Sequence, residues 1–351
     1  MNSNKKTRIL LIDAFGMNGG AEKVMINTYK VLKNKFTVFC MMPEASEYKN
    51  KLPKGDFIGF KNTFNLIRTT IKISPDIVIL NNKKALKYLI PLKIFIPKLK
   101  VIYHSHSYFR NKFELIIYQN IFLKLLSKVI CVSHSLELNH TNGVNFDTKH
   151  AVIYNGFDFN FNNISSKNLK NEHINIFFWA QFREWKGHLF LLDIIKNTNH
   201  IKVRYHFVAN IQDEESKKLY SKIKKKIEHY NLGSIVKLHI NIDDHLQFIN
   251  KNADISLSCS QIQDPLPTII IESLAMGIPI LATNVGGSAE ILEPFPDLLA
   301  NVELTSFENK LSRLIANYKD YKSNTLKDYF KLTFNEDTYT LKIINFIPKI
   351  N

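Results

Sequence analysis

Cysteine is scarce in this chain. The three present in 351 residues, Cys40, Cys131 and Cys259, lie far apart in apolar segments with no C-x-x-C spacing. A disulfide scaffold and a zinc ribbon are thereby excluded, and buried free thiols are expected. Long apolar runs are missing too: no stretch reaches the roughly 18 uncharged apolar residues of a membrane-spanning helix. The polar start, Met1 to Arg8, leads straight into Ile9-Leu-Leu-Ile12 without a cleavage site, so a cytoplasmic chain without a signal peptide is expected. Gly-x-Ser-x-Gly, His-Glu-x-x-His and Gly-x-x-x-x-Gly-Lys-Ser/Thr are all absent, which removes the nucleophile elbow, the zincin site and the P-loop. An Asp-x-Asp pair able to hold a divalent ion is also absent, so no metal is expected.

What is present fits a globular protein of two domains. The apolar share is 45% and the charged share 22%, with enough chain for two separate cores. Net charge is +16, unevenly spread. Residues 1–158 hold 24 Lys plus Arg against 10 Asp plus Glu, whereas residues 159–351 hold 23 against 21. The excess sits in the first half and points to an anionic surface or substrate there, with nucleic acid and acidic lipid both candidates.

Short β-branched runs alternate with helix-period segments throughout, the pattern of parallel sheets covered by helices. In the first half the expected strands are Arg8 to Asp13, Lys35 to Met41, Asp76 to Leu80, Lys100 to His104, Lys128 to Ser133 and His150 to Tyr154. Helices are expected at Ala21 to Leu32 and Asn111 to Leu126. An Asn- and Ser-rich linker, Phe157 to Asn171, precedes a second series: Ile174 to Phe182, Val203 to Ala209, Ile235 to Ile240, Asp254 to Cys259 and Ile278 to Thr283. The lysine-rich Glu214 to Tyr230 is read as a solvated helix. In such sheets ligands sit beyond the carboxyl ends of the strands, so the loops there are where chemistry is sought.

The richest of these loops follows Asp254 to Cys259. Pro265 and Pro267 hold Asp264 in a loop, a helix starts at Thr268, Gly277 ends it and Pro279 blocks its continuation. The helix start, Leu266 to Ile269, presents backbone N–H groups and a positive dipole end suited to a phosphate. Glu272, one turn past Thr268, shares its face and can accept hydrogen bonds from ribose hydroxyls. Elsewhere Gly19-Gly20-Ala-Glu22 opens a helix after the first strand, Ala180-Gln-Phe-Arg183-Glu-Trp-Lys186-Gly187 follows the first strand of the second series, and His104-Ser-His106-Ser follows Lys100 to His104.

Together these segments resemble the retaining GT-B glycosyltransferases of family 4, glycosyl transferases group 1. The resemblance lies in two acids separated by seven residues, Asp264 and Glu272, then Gly277-Ile-Pro279, the strand Ile280 to Thr283, Gly286-Gly287 and Glu290. Asn155-Gly-Phe-Asp158 matches at the crossing between lobes. Asp264 stands where the family usually has Glu, Pro267 replaces a glycine, and Gln181 occupies the usual Arg position, with Arg183 two residues later.

The resemblance implies two Rossmann-like α/β domains facing each other across a cleft. These are an acceptor-side domain at 1–158, a nucleotide-sugar domain at 171–325 and a helical segment at 326–351 that crosses back to the first. It implies Asp264, His106, Lys186 and Arg183 as catalytic residues, with Gly19, Gly20, Leu266, Pro267, Thr268 and Glu272 holding the donor. A fixed cation would stabilise the leaving diphosphate without a metal or other cofactor. The expected donor is a UDP-sugar and the expected acceptor a saccharide, lipid-linked at the inner face of the membrane, in capsule, O-antigen or similar cell-surface polysaccharide synthesis. Lys83 to Lys100 and Tyr108 to Lys128, which mix lysine with bulky apolar residues, suit an anionic bilayer. The rival readings are a sugar-nucleotide epimerase of the same shape, for which Asp13 and Glu22 are the strand-end acids of the first half, and a basic nucleic-acid or lipid binder without enzymatic activity. No nucleic-acid motif is present.

Overall fold

Ile9, Leu10, Leu11 and Ile12 are all fully buried. A run with no polar face belongs to a strand covered on both sides, and this is the centre of the first sheet. The computed structural model describes residues 6–16, 20–142, 149–159, 161, 173–198, 202–321 and 323–347. The chain divides into two compact units, residues 1–157 with 336–351, and residues 158–335.

In the first unit β1 (Arg8–Ile12), β2 (Thr37–Pro43), β3 (Phe57–Phe60), β4 (Ile77–Leu80), β5 (Lys100–Ser105), β6 (Lys128–Cys131) and β7 (His150–Val152) form a parallel sheet in the order β3-β2-β1-β4-β5-β6-β7. The register sets Leu10 against Phe39 on one side and Val78 on the other. The connecting helices are α1 (Gly20–Lys33), α2 (Thr63–Ile73), α3 (Leu89–Phe95), α4 (Lys112–Ile117), α5 (Leu123–Leu125) and α6 (His134–Thr141). The helix expected at Asn111 to Leu126 is α4 and α5 joined by a π-helical stretch, Tyr118–Phe122. Its one buried side chain is Tyr118, whose hydroxyl meets His150 Nε2 at 3.1 Å.

The second unit repeats the plan with β8 (Ile174–Trp179), α7 (His188–Asn197), β9 (Val203–Ala209), α8 (Glu214–His229), β10 (Val236–Ile240), α9 (His245–Asn252), β11 (Ile255–Ser258), α10 (Thr268–Met276), β12 (Ile280–Thr283), α11 (Gly287–Ile291), β13 (Leu299–Ala300), α12 (Leu304–Asn317) and α13 (Ser323–Thr333). Its sheet, also parallel, runs β10-β9-β8-β11-β12-β13. The expected linker, 157–171, falls largely outside the described residues.

The strands β3 and β13 were not expected. Both are short edge strands, and Gly59 interrupts the apolar pattern of β3. The last part of the chain divides differently from the expected break at 325–326, which falls inside α13. That helix packs on α10 within the second unit. Only α14 (Glu336–Phe346) joins the first unit, where Tyr339 and Ile343 enter the core beside Ile9, Leu11 and Met25. The Tyr339 hydroxyl lies 2.5 Å from Thr28 Oγ1 of α1.

In each sheet the strand order reverses at one point, between β1 and β4 and between β8 and β11. Loops leaving the carboxyl ends of those strands diverge and open a crevice between them. Those loops carry Asp13 to Gly16 and Asn81-Asn82 in the first unit, and Ala180 to Gly187 and Cys259 to Pro267 in the second.

Candidate active site

The second unit's crevice is closed by contacts between its two loops. Glu184–Lys186 form one 3-10 turn, ended by Gly187 at φ 82°. A Cβ on Gly187 would fall 1.9 Å from the Cys259 carbonyl oxygen, so glycine is required by both the left-handed backbone and the approach of β11's end. Gln261 N donates to Trp185 O at 2.8 Å. These contacts place Lys186 Nζ 2.5 Å from Asp264 Oδ2 and 4.2 Å from the centre of the Trp185 ring. Both charged side chains of the pair are largely buried.

The helix behind them is built as its breakers dictate. Pro267 is the N-cap residue of α10, and Gly277, at φ 71°, is its C-cap. Gly277 N reaches Leu274 O at 2.9 Å and Ile278 N reaches Ser273 O at 3.0 Å, closing the last turn. At the other end Ile270 N donates to Pro267 O at 3.1 Å, and the N–H groups of Thr268 and Ile269 precede any intrahelical acceptor, as at any helix start. Leu266 and Pro267 are buried and Thr268 is exposed. Gly287 N donates to Asp264 O at 2.8 Å, and a Cβ at 287 would lie 2.2 Å from Pro265 O. The Gly286-Gly287 pair is thus what lets the β12–α11 loop press against the Asp264 loop.

Glu272 lies half-buried on α10. Its Oε2 accepts the indole N–H of Trp179, at the carboxyl end of β8, at 2.5 Å. Trp179 was not singled out from the sequence. An aromatic closing a strand is ordinary, and the bond appears only because β8 and β11 are neighbours.

Arg183 pairs with acids other than Asp264. Its guanidinium forms a fork on Asp213, with bonds of 2.6 and 3.1 Å, and reaches Glu215 at 3.5 Å. The hydrogen bonds that Arg183 donates to Asp213 raise the Arg183 pKa, and the same bonds depress that of Asp213. Asp213 also caps α8 through Ser216 N, so Arg183 is tied to the start of that helix.

In the first unit Gly20 opens α1, while Gly19 lies outside the described residues. Asp13 is fully buried with both oxygens engaged. Oδ1 accepts from Phe15 N and Gly16 N at 2.7 and 3.0 Å, and Oδ2 from Asn81 Nδ2 and Asn82 Nδ2 at 2.9 and 2.7 Å. A carboxylate with four donors shapes the loop and is poorly placed to serve as an epimerase base. Asn81 Oδ1 in turn meets His106 Nε2 at 3.3 Å, and the His104 ring stacks obliquely 4.2 Å from that of His106. Burial, with His104 adding to it, holds the His106 pKa well below the usual histidine value. Burial alone pushes His104 down to about 3. His106 is therefore a neutral hydrogen-bonding group aimed by Asn81, a residue whose only signal in the sequence is its place directly after a strand. Among the described residues no three His, Cys, Asp or Glu side chains come together as a metal ion would need.

Comparison with known proteins bears on this geometry. Residues 160–328 match the family model described as glycosyl transferases group 1. Over 206 residues the chain is 28% identical to the capsular polysaccharide biosynthesis glycosyltransferase CapH of Staphylococcus aureus, a match that covers 56% of this chain and 55% of that protein. The chain thus matches about half the length of this curated relative. Anabaena HepE, solved in complex with UDP, superposes with a TM-score of 0.87 at 19% identity, covering 98% of this chain and 100% of that one. HepE with UDP-glucose gives 0.84 at 20% identity, covering 97% and 99%. The fold is therefore that of the GT-B glycosyltransferases, two Rossmann-like parallel-sheet domains of seven and six strands.

Proposed function

We propose that the chain is a metal-independent glycosyltransferase of the retaining family 4 type, moving a hexosyl group from a UDP-sugar to a saccharide acceptor in cell-surface polysaccharide synthesis. The observation that carries this reading is the Lys186–Asp264 pair, held at 2.5 Å beside the start of α10 with Glu272 one turn further on. A diphosphate at that helix start meets a positive dipole end and a lysine that gives up Asp264 to bind it. Asp264 then accepts hydrogen bonds from the donor sugar and Glu272 from the ribose. In the reaction the bond from the anomeric carbon to the β-phosphate oxygen breaks and the acceptor oxygen bonds on the same face. The acceptor proton passes to the departing phosphate. Lys186 stabilises the charge that develops there, so no metal or other cofactor is needed. Neutral His106 serves the first unit as a hydrogen-bonding group toward the sugar. The relatives support the donor class, one being solved with UDP-glucose, and CapH supports the pathway class. The acceptor is proposed to be lipid-linked, at the cytoplasmic face of the membrane.

The test is incubation of the purified chain with a panel of nucleotide sugars, following donor hydrolysis and nucleoside diphosphate release. UDP release from one UDP-sugar, lost in Lys186→Ala and Glu272→Ala, is the expected result. An epimerised sugar nucleotide, or unchanged turnover in Glu272→Ala, rejects the assignment.

A further inference from the structure

We infer, on the reading that His106 meets the sugar of the proposed reaction, that Asn81 is a positioning residue for it. Asn81 holds the imidazole proton on Nε2 and so leaves Nδ1 as an acceptor for a sugar hydroxyl.

Asn81 comes directly after β4, where the strand order of the first sheet reverses, and its side chain is almost wholly buried. Its Nδ2 is committed twice, to Asp13 Oδ2 at 2.9 Å and to the Ala21 carbonyl at 3.0 Å. Asp13 is fixed in turn, because its oxygens also take N–H groups from Phe15, Gly16 and Asn82. A carboxylate among donors and a backbone carbonyl can only accept. Turning the Asn81 amide over would set its oxygen against both of them, with no proton in between. The amide therefore has one orientation, with Oδ1 toward His106 Nε2 at 3.3 Å.

An amide oxygen cannot donate, so the proton of that bond belongs to Nε2. A second proton on the ring is opposed by burial and by the neighbouring His104, which hold the His106 pKa well below its usual value. A neutral imidazole with its proton on Nε2 carries a lone pair on Nδ1. Among the described residues Nδ1 of His106 takes no hydrogen bond, and it is not sealed in the interior as both ring nitrogens of His104 are. The His104 ring lies 4.2 Å from that of His106 and backs it from inside the unit. A nitrogen of this kind accepts from a hydroxyl. It repels a carboxylate or phosphate oxygen and gains nothing from fluorine, which cannot donate. Asn81 thereby decides which group of a sugar is accepted beside His106, without touching the sugar itself.

The test has a spectroscopic arm and a binding arm. The full chain is labelled with isotope at the histidine ring nitrogens, and the His106 signals are identified by their loss in His106→Phe. A pyrrole-like Nε2 and a pyridine-like Nδ1 are expected in the wild-type chain without ligand. In Asn81→Ala the two nitrogens should move toward each other as both tautomers become populated. Asn82→Ala removes another donor to Asp13 and the cap on Ala85 N, so it disturbs the same loop, yet it should leave the His106 signals in place. In the binding arm, calorimetry compares UDP-glucose with analogues in which one hydroxyl at a time is replaced by fluorine. One position should lose about tenfold in affinity. That loss should disappear in His106→Phe and shrink to about threefold or less in Asn81→Ala, where Nδ1 can carry the proton and face fluorine. A wild-type Nδ1–H tautomer, a tautomer unmoved by Asn81→Ala, an equal shift in Asn82→Ala, or fluorine tolerated at every position overturns the inference. The wild-type spectrum decides the tautomer even if Asn81→Ala does not fold. Failure of every UDP-sugar to bind would reject the proposed donor and with it the hydroxyl contact, whereas the hold of Asn81 on the proton is judged by the spectra alone.

Discussion

The indole N–H of Trp179 and the carboxylate of Glu272 meet at 2.5 Å across 93 residues of chain. The bond fixes Oε2 of Glu272 one turn past the start of α10. Trp179→Phe keeps the ring and removes the donor. A hydrogen bond to a charged group contributes about 1.5–3 kcal/mol, so UDP affinity measured by titration calorimetry should fall about tenfold or more. The melting temperature should fall as well, because the same bond is lost from the folded chain.

Lys186 and Asp264 stabilise the second unit's loops by pairing. Lys186→Met leaves a buried carboxylate without its cation, so stability should fall by about 1–3 kcal/mol, and turnover should drop about 10²–10³-fold through loss of the charge on the diphosphate. Adding Asp264→Asn should restore much of the melting temperature and none of the turnover. Recovery of both would show that the lysine serves only as the carboxylate's partner.

Arg183 tests the other cation. Held by Asp213 and Glu215 at a partly exposed position, it should matter little: Arg183→Gln is expected to keep kcat within about threefold and to change stability by at most about 1 kcal/mol. A loss comparable with that of Lys186→Met would mean that the arginine leaves Asp213 for the diphosphate during turnover.

Gly187→Ala introduces a Cβ 1.9 Å from the Cys259 carbonyl at a left-handed φ. Neither partner is a flexible side chain, so the loop must move and take Lys186 with it. Unfolding in urea should show a loss of about 3 kcal/mol or more, with donor binding weakened in the fraction that folds.

Buried histidines set the acid limit of stability. Burial holds His104, His140 and His188 at about 3, against 6.5 when unfolded. Below pH 6.5 the unfolded chain takes up protons that the native chain refuses. The stability present above that value is therefore lost as pH falls toward the native pKa values. Each such histidine costs about 2 kcal/mol at pH 5, and melting temperatures should fall steeply between pH 6.5 and 4. Replacing His140 by Phe should flatten the slope. Because His106 is also held neutral, kcat/KM should show no break near pH 6.5 from that residue.

Some of the architecture could be read from local pattern and some could not. β1 and β8 stand out as apolar runs ending in polar loops, whereas Phe57–Phe60 does not, since an edge strand of four residues with a central glycine carries almost no alternation. The helix at 112–125 follows from its periodicity. Its π-helical turn does not, because burial of Tyr118 among Tyr103, Phe109 and His140 involves residues from three other segments. The exposure of Phe95 and Phe113 is likewise invisible in one dimension, where an apolar residue beside lysines reads equally well as core.

The segment Asp264 to Glu290 was determined by the sequence itself. Pro267, Gly277 and Pro279 start and stop α10 through forces that act over a few residues, so the order of loop, helix, strand and glycine pair is written locally. Which side chains those residues meet was decided only by tertiary structure. Lys186 reaches Asp264, and Trp179 reaches Glu272, because β8 and β11 lie side by side at the point where the strand order reverses. The same packing gave Arg183 to Asp213. Adjacency of strands depends on the direction of each crossover and on burial of both sheet faces, which are properties of the whole unit rather than of any motif.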